Sequence, residues 1–315
     1  MVALPGMEAG EGLLIHVGMP KTASTWLQNH VFDDPQRGMT CPWGRRSGLA
    51  IDQFVIPTPF RFDAEAARRS FRDGLARSRE RGLLPVLSEE TLVGDPVSGR
   101  YWGLMVADRL QATFPRARIV LCIREQKAMI LSAYKEYIKA GGTFSIERYL
   151  GAVERREGFS GVCQLDALEY DLIIDAYHAR FGRDAVLTLV FEELQRDAAA
   201  FLGRLSDFLG LPRNAPPTNR AANVGHRGIG LNLRRIGNRY VSPADPLLGI
   251  HPPSWRALNR IVRAADRLLP GAMHAAVEER PIRVIREFVG DYFRESNRRT
   301  AALVGGEERL INFDL

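Results

Sequence analysis

Leu13 to Gln28 reads LLIHVGMPKTASTWLQ, and the fold turns on this stretch. Leu13 to Val17 is a short apolar run bounded by Gly12 and Gly18, the pattern of a buried strand. A polar turn follows, and Trp26, Leu27, His30 and Val31 then recur at helical spacing. The unit is therefore strand, loop and helix, with the helix starting near Ser24. Backbone N–H groups at a helix start lack partners, and the helix dipole adds roughly half a positive charge there. Such a corner accepts phosphate or sulfate readily. Lys21 contributes a full charge, and Thr22, Ser24 and Thr25 contribute hydroxyls. The same local features also describe an ordinary helix capped by Ser24 or Thr22. The segment is not a Walker A loop, because Lys21 precedes the Thr/Ser cluster instead of following a glycine turn.

Beyond this unit, further short apolar runs alternate with helical patterns. Leu83 to Leu87, Arg118 to Ile123 and Ala185 to Phe191 read as strands. Ala64 to Arg81, Tyr101 to Phe114, Gln126 to Lys139, Leu165 to Phe181 and Asp197 to Leu209 read as helices. In the first of these, Ala67, Phe71, Leu75 and Ser78 form the inward stripe. Residues 36–62 show no steady period and suggest a long irregular connection. Past Pro216 the strands cease, and Ser254 to Leu268 and Glu278 to Arg299 read as arginine-rich helices. Alternating β and α units predict an α/β fold: a mostly parallel central sheet flanked by helices, with a helical C-terminal subregion. The expected organisation is a disordered start over 1–12 and one domain over 13–315. Within that domain, 13–215 form the α/β core and 216–315 a basic loop and helices.

Composition sets limits on function. Of 315 residues, 45% are hydrophobic and 25% charged, enough for a large core. The start lacks a signal-peptide pattern, and no apolar run approaches the roughly 20 residues of a membrane span, so a soluble, cytoplasmic protein is expected. Cys41, Cys122 and Cys163 are odd in number and form no ligand pattern, which predicts no structural metal. The net charge of +6 favours an anionic partner. No zinc finger, basic zipper or RNP-type strand is present and the basic residues are dispersed, so a small nucleotide is expected and nucleic acid is not.

The order Pro20, Lys21, two residues, Ser24, Thr25, Trp26 resembles the 5′-phosphosulfate loop of sulfotransferases that use 3′-phosphoadenosine 5′-phosphosulfate (PAPS), commonly written PKxGTTW. Ala23 stands where that family has glycine. Alanine tolerates positive φ poorly, so either the turn keeps φ negative or donor binding weakens. A second element supports the first. Arg124 ends the strand 118–123 and Ser132 follows eight residues later, at the sheet edge where ligands of parallel sheets collect. An arginine and a hydroxyl converging there suit a terminal phosphate.

The resemblance to the bacterial-type sulfotransferases implies a P-loop NTPase-like fold and sulfuryl transfer from PAPS, leaving PAP, without a metal. It implies that Lys21, Thr22, Ala23, Ser24 and Thr25 hold the 5′-phosphosulfate while Trp26 packs on adenine. It also implies that Arg124, Ser132 and Tyr134 hold the 3′-phosphate. Arg227, in the Gly-rich stretch His226 to Gly230, stands where the family has a basic segment touching the same phosphate.

Transfer further needs a base for the acceptor's proton and stabilisation of the leaving phosphate. Lys21 suits the second task. For the first, the strand 83–87 runs into Ser88-Glu89-Glu90. Neighbouring side chains of an extended segment point oppositely, so one carboxylate at most faces the site. Glu89 is the first choice, by the resemblance, and Glu90 the reserve. Ser88 is a further candidate for a donor phosphate contact. His16 titrates near neutrality but lies inside the first strand and reads as a core residue. Small-molecule, lipid and carbohydrate acceptors are all compatible with these residues. The rival readings are a kinase-like nucleotide phosphotransferase, which would need a Walker turn and an acidic metal ligand, and a non-catalytic nucleotide-binding scaffold.

Overall fold

The computed structural model describes residues 12–152, 161–217, 228–241 and 253–315. The expected disordered start therefore lies, up to residue 11, outside the described residues. Five parallel strands form the sheet: β1 (Leu14–Gly18), β2 (Met39–Thr40), β3 (Leu84–Ser88), β4 (Arg118–Ile123) and β5 (Val186–Val190), in the order β2-β3-β1-β4-β5. Successive strands after β1 fall first on one side of it and then on the other. The crevice between diverging connections thus opens at the carboxyl end of β1.

The helices are α1 (Ser24–His30), α2 (Gly48–Phe54), α3 (Ala64–Glu80), α4 (Gly103–Thr113), α5 (Gln126–Lys139), α6 (Ile146–Leu150) and α7 (Tyr170–Phe181). They continue with α8 (Phe191–Arg196), α9 (Ala198–Leu209), α10 (Gly228–Gly237), α11 (Pro253–Leu268), α12 (Gly271–Val289) and α13 (Arg294–Val304). Strand alternation divides the core into two layers. Leu14, Val86, Val120, Cys122 and Leu189 pack against Leu27 of α1, Val31 just past its end, and Phe201, Leu202 and Leu205 of α9. Ile15, Val17, Leu87, Ile119, Leu121 and Ile123 face the other way, toward α3, α4, α5 and α7. Each such fully buried aliphatic side chain contributes about 1.5–3 kcal/mol before entropy is subtracted.

Several elements differ from the sequence-based expectation. Residues 36–62 hold β2 and α2 as well as loop. Two residues of strand are too short to show alternation, and β2 is set by its pairing with Leu84 and Pro85. The helix expected over 278–299 is two helices, because the chain turns left-handed at Gly290 (φ 52°) and α12 ends there. In α3 the third buried position is Gly74 instead of Leu75. Its missing Cβ lets the Trp43 indole seat against the helix, where a Cβ would lie 2.3 Å from Nε1. The three cysteines are free and buried, and burial pushes each thiol up to about 12.

Candidate active site

The loop after β1 is shaped by two left-handed residues, Lys21 (φ 68°) and Ala23 (φ 67°). The turn therefore does not keep φ negative at Ala23. It adopts the conformation that glycine takes without cost, and the alanine carries strain on the order of 1 kcal/mol. With the chain so bent, the amides of residues 21–25 donate to no partner among the described residues and collect at the start of α1. The Thr22 hydroxyl turns inward to the Met19 carbonyl at 2.5 Å, so Thr22 serves the turn and does not line the cleft. Ser24 Oγ lies within reach of both the Met19 carbonyl, at 3.3 Å, and the Glu90 carboxylate.

A cleft of about 580 Å³ opens here, in the size range of small-molecule sites. One wall is the loop and α1: Lys21, Ala23, Ser24, Thr25, Trp26, and then Asn29 and His30. The opposite wall carries Arg124 and Ser132, followed by Phe191, Leu194 and Gln195 of α8, with Glu90 also lining the space. The structure thus brings together the loop, the Arg124–Ser132 pair and one of the two candidate carboxylates.

Arg124 joins the two walls. Its Nη1 donates to the Lys21 carbonyl at 3.2 Å, its guanidinium stands 4.8 Å over the Phe191 ring, and its Nε is buried with no partner among the described residues. Burial lowers its pKa, against the pull of Glu192, Tyr170 and Glu125. A buried N–H without an acceptor is costly, and an anion in the cleft would relieve it. Lys21 Nζ meets Glu136 Oε2 of α5 at 3.1 Å. Burial would raise the Glu136 pKa, but Lys21 and Lys139 prevail and hold the carboxyl below its usual range.

Of the two candidate carboxylates, Glu90 lines the cleft and Glu89 does not. Glu89 is 1% exposed and fully engaged: Arg46 Nε and Nη2 grip its carboxylate, and Thr91 donates to Oε1 through both amide and hydroxyl. Glu90 faces the cleft. Strand parity explains this, because Glu90 continues the face of Val86 and Ser88, the face that packs on α1, whereas Glu89 continues that of Leu87. Burial raises the Glu90 pKa above the ordinary glutamate value, with Ser24, Arg46 and Lys21 opposing and Glu89 reinforcing. Gly18 makes this arrangement possible. At φ 96° a Cβ there would fall 2.0 Å from the Glu90 carbonyl oxygen.

Three other candidates lie elsewhere. Ser88 is buried beneath the loop, bonded to Gln28 and to His16 Nδ1 at 2.9 Å, so it does not reach the cleft. His16 is fully buried against Phe32, and burial lowers its pKa to about 3, as befits a core residue. Tyr134 sits two residues past Ser132, on the far side of α5. Its hydroxyl donates to the Phe144 carbonyl, and its ring packs against Tyr137 and Tyr149. Arg227 lies outside the described residues.

Asn29, Phe191, Leu194, Gln195 and Glu136 were not singled out from sequence, and neither was Arg46. His30 could have been, since it follows Trp26 by one helical turn, with ring centroids 6.4 Å apart. A second cleft, of about 510 Å³, lies between α3 and residues 113–116 at the opposite sheet edge. It is lined mainly by arginines, with Thr113 the one hydroxyl, and none of the candidate site residues reaches it.

Residues 102–215, which include Arg124 and Ser132, match the family model of the sulfotransferase family. The chain also superposes on the crystal structure of a sulfotransferase from Alicyclobacillus acidocaldarius with a TM-score of 0.56. That match is 18% identical and covers 95% of this chain and 98% of the other. The fold is that of a solved sulfotransferase, and residues 102–215 resemble the sulfotransferase family. Weaker structural similarity extends to the sulfotransferase domain of the Synechococcus PCC 7002 olefin synthase, at 15% identity and TM-score 0.39, covering 85% of this chain and 99% of that one. It extends also to the sulfotransferase domain of the curacin biosynthetic pathway, at 13% identity and TM-score 0.40, covering 89% and 98%. No curated protein sequence matches. Among the described residues, no cluster of His, Cys, Asp and Glu is grouped to hold a metal, and no helix is long and apolar enough to cross a membrane.

Proposed function

We infer that this chain transfers a sulfuryl group from PAPS to a hydroxyl or amine acceptor, with Glu90 as the general base. The observation that carries the reading is the convergence of two anion-binding elements on one cleft: the unbonded amides of residues 21–25 with Lys21, and Arg124 with Ser132. The donor set fits a nucleotide bearing phosphate at both ends. Arg124 Nε, without a partner among the described residues, and the left-handed loop are each set for an anion that those residues do not provide.

PAPS would supply an activated sulfuryl group. The loop amides and Lys21 would hold its 5′ end and offset the charge that gathers on the leaving phosphate. Arg124 and Ser132 would hold the 3′-phosphate, through a guanidinium and a hydroxyl donor. Trp26 and Phe191 give the cleft aromatic surface for the base. Glu90, raised toward neutrality by burial, would accept the acceptor's proton while Ser24 orients its carboxylate. Glu89 and Arg46 would fix the backbone that carries Glu90. The enzyme's acceptor would be a small molecule, lipid or carbohydrate.

Thermal shift with PAPS, and separately with ATP and Mg²⁺, tests the donor, and release of PAP in the presence of an acceptor panel tests the transfer. Stabilisation by PAPS together with PAP release is the expected outcome. Stabilisation by ATP alone would overturn the reading in favour of a phosphotransferase. PAPS binding without turnover across the panel would turn it into a scaffold.

A further inference from the structure

α10 and α11 form an antiparallel pair. Gly230 lies against Asp266 and Gly237 against Leu258, so the two helices approach where the glycines leave room. Arg234 of α10 is buried between them, its guanidinium 4.6 Å over Trp255. The inner side of α11 is thereby used up by Trp255, Leu258, Val262 and Asp266, and Val262 is the one fully buried residue of its 16.

The outer arc of α11 has an ordered composition. At 100° per residue, Ile261 and Leu268 emerge first, then Ala257 and Ala264, then Arg260 and Arg267, and finally Arg256 and Arg263. Ile261 is 58% exposed and Leu268 80%. The four arginines are exposed and make no ion pair or hydrogen bond among the described residues. The one acid of the helix, Asp266, faces α10. Because the helices are antiparallel, Leu233 and Ile236 of α10 come out on the same side as Ile261 and Leu268 and extend the apolar strip. Tyr240, just past α10, is 83% exposed. α5 and α12 lie on the other side of α10: Arg234 and Asn238 bond to α5 carbonyls, and Gly228 abuts His274.

We propose that the outer face of α11, with the Leu233–Ile236 edge of α10, docks on an anionic lipid bilayer surface. A convex helix with large apolar residues on one flank and unpaired arginines on the next matches an interface in which side chains enter the acyl boundary and guanidiniums reach headgroup phosphates. Nucleic acid would match the arginines but not Ile261 and Leu268. A peptide would need a groove, and this face is convex. The contact lies in the interface plane and involves no crossing. It would hold α5, the helix that carries Ser132 into the cleft, close to the membrane through α10.

The test is co-sedimentation of the full chain with mixed phosphatidylglycerol–phosphatidylcholine vesicles and with phosphatidylcholine vesicles alone, at low and high salt. Binding is expected for the anionic vesicles only and should weaken with salt. Arg260→Ser with Arg267→Ser should lower partitioning by about fivefold per arginine. Ile261→Ser with Leu268→Ser should remove binding while circular dichroism and melting stay at wild-type values. Failure to bind anionic vesicles, or equal binding by both double variants, overturns the proposal. So does a concentration-dependent dimer that Leu268→Ser dissolves without any vesicle binding, since the face would then belong to a second copy of the chain. None of these readouts depends on the donor.

Discussion

Arg46 and Glu89 form a closed clasp: Nε lies 2.9 Å from Oε2, Nη2 lies 3.1 Å from Oε1, and the carboxylate side chain is 2% exposed. The Glu89 carboxylate is occupied by other donors, and it is Glu90 that lines the cleft. Glu90→Gln should therefore lower kcat at least about 100-fold while leaving the PAPS-induced thermal shift intact. Glu89→Gln should act on stability instead, at a cost of about 1–2 kcal/mol, because a buried carboxamide cannot accept all the bonds that Arg46 and Thr91 donate to the buried carboxylate. Steady-state kinetics and melting of both variants separate the roles. The pH profile adds a sign. In the proposed mechanism Glu90 acts deprotonated, so kcat/KM should rise with pH through a value above 4.5. Since Glu89 reinforces the upward shift, Glu89→Gln should move that limb to lower pH. A limb that does not move in Glu89→Gln and survives in Glu90→Gln would sink the assignment.

Gly18 and Ala23 bracket the loop and should respond in opposite directions. Gly18→Ala places a Cβ 2.0 Å from the Glu90 carbonyl oxygen at a φ that alanine disfavours, so melting and activity should fall together, by on the order of 3 kcal/mol in stability. Ala23→Gly removes a strained left-handed alanine. Relief of that strain should raise stability by up to about 1 kcal/mol and leave PAPS affinity equal or tighter. Thermal melting with and without PAPS checks both.

Glu136 competes for Lys21. A donor phosphate must draw Nζ from a carboxylate 3.1 Å away and sit near that negative charge. Both side chains are about one-third exposed, so the pair contributes little and is screened. Glu136→Gln should therefore tighten PAPS binding by about threefold. Isothermal titration would show it, with the gain shrinking at high salt. Weaker binding in Glu136→Gln would mean that Glu136 instead positions Lys21 for the donor.

His16 makes stability depend on pH. Its pKa is about 3 when folded against 6.5 ordinarily, so the unfolded chain binds the extra proton between these values. Stability should then fall as pH drops from 6.5 toward 3, by up to about 1.4 kcal/mol per pH unit. His16→Asn should flatten that part of the acid melting curve. The carboxylates remain in the variant, so the difference between the two curves isolates the histidine.

The parts legible in sequence are those set by local periodicity. The strand at 13–17, the helix start at Ser24, and Arg124 at the end of a strand all follow from apolar runs and their boundaries. Ser132 faces the cleft because it lies two turns into the next helix. The same periodicity places Tyr134 some 200° away round α5, which would have excluded it. Strand parity likewise favours Glu90, provided that the face of β3 packed on α1 is known, and that information comes from pairing with β1. The Arg46–Glu89 clasp spans 43 residues and the Lys21–Glu136 pair 115, so no local pattern contains them. The helix end at Gly290 was available in the sequence as a glycine between periodic stretches. β2 was not, since two residues carry no period.

The hydrogen bond from Arg124 to the Lys21 carbonyl has a thermodynamic consequence. One guanidinium both lines the cleft and braces the left-handed loop that presents the amides. The two anion sites are then not separate binding terms but one cooperative unit. In a double-mutant cycle, Lys21→Ala and Arg124→Ala should show a coupling energy of about 0.5–3 kcal/mol, because the first loss already releases what the second would have cost. Occupying either end of the cleft with a phosphate should, by the same linkage, tighten the hold on the other.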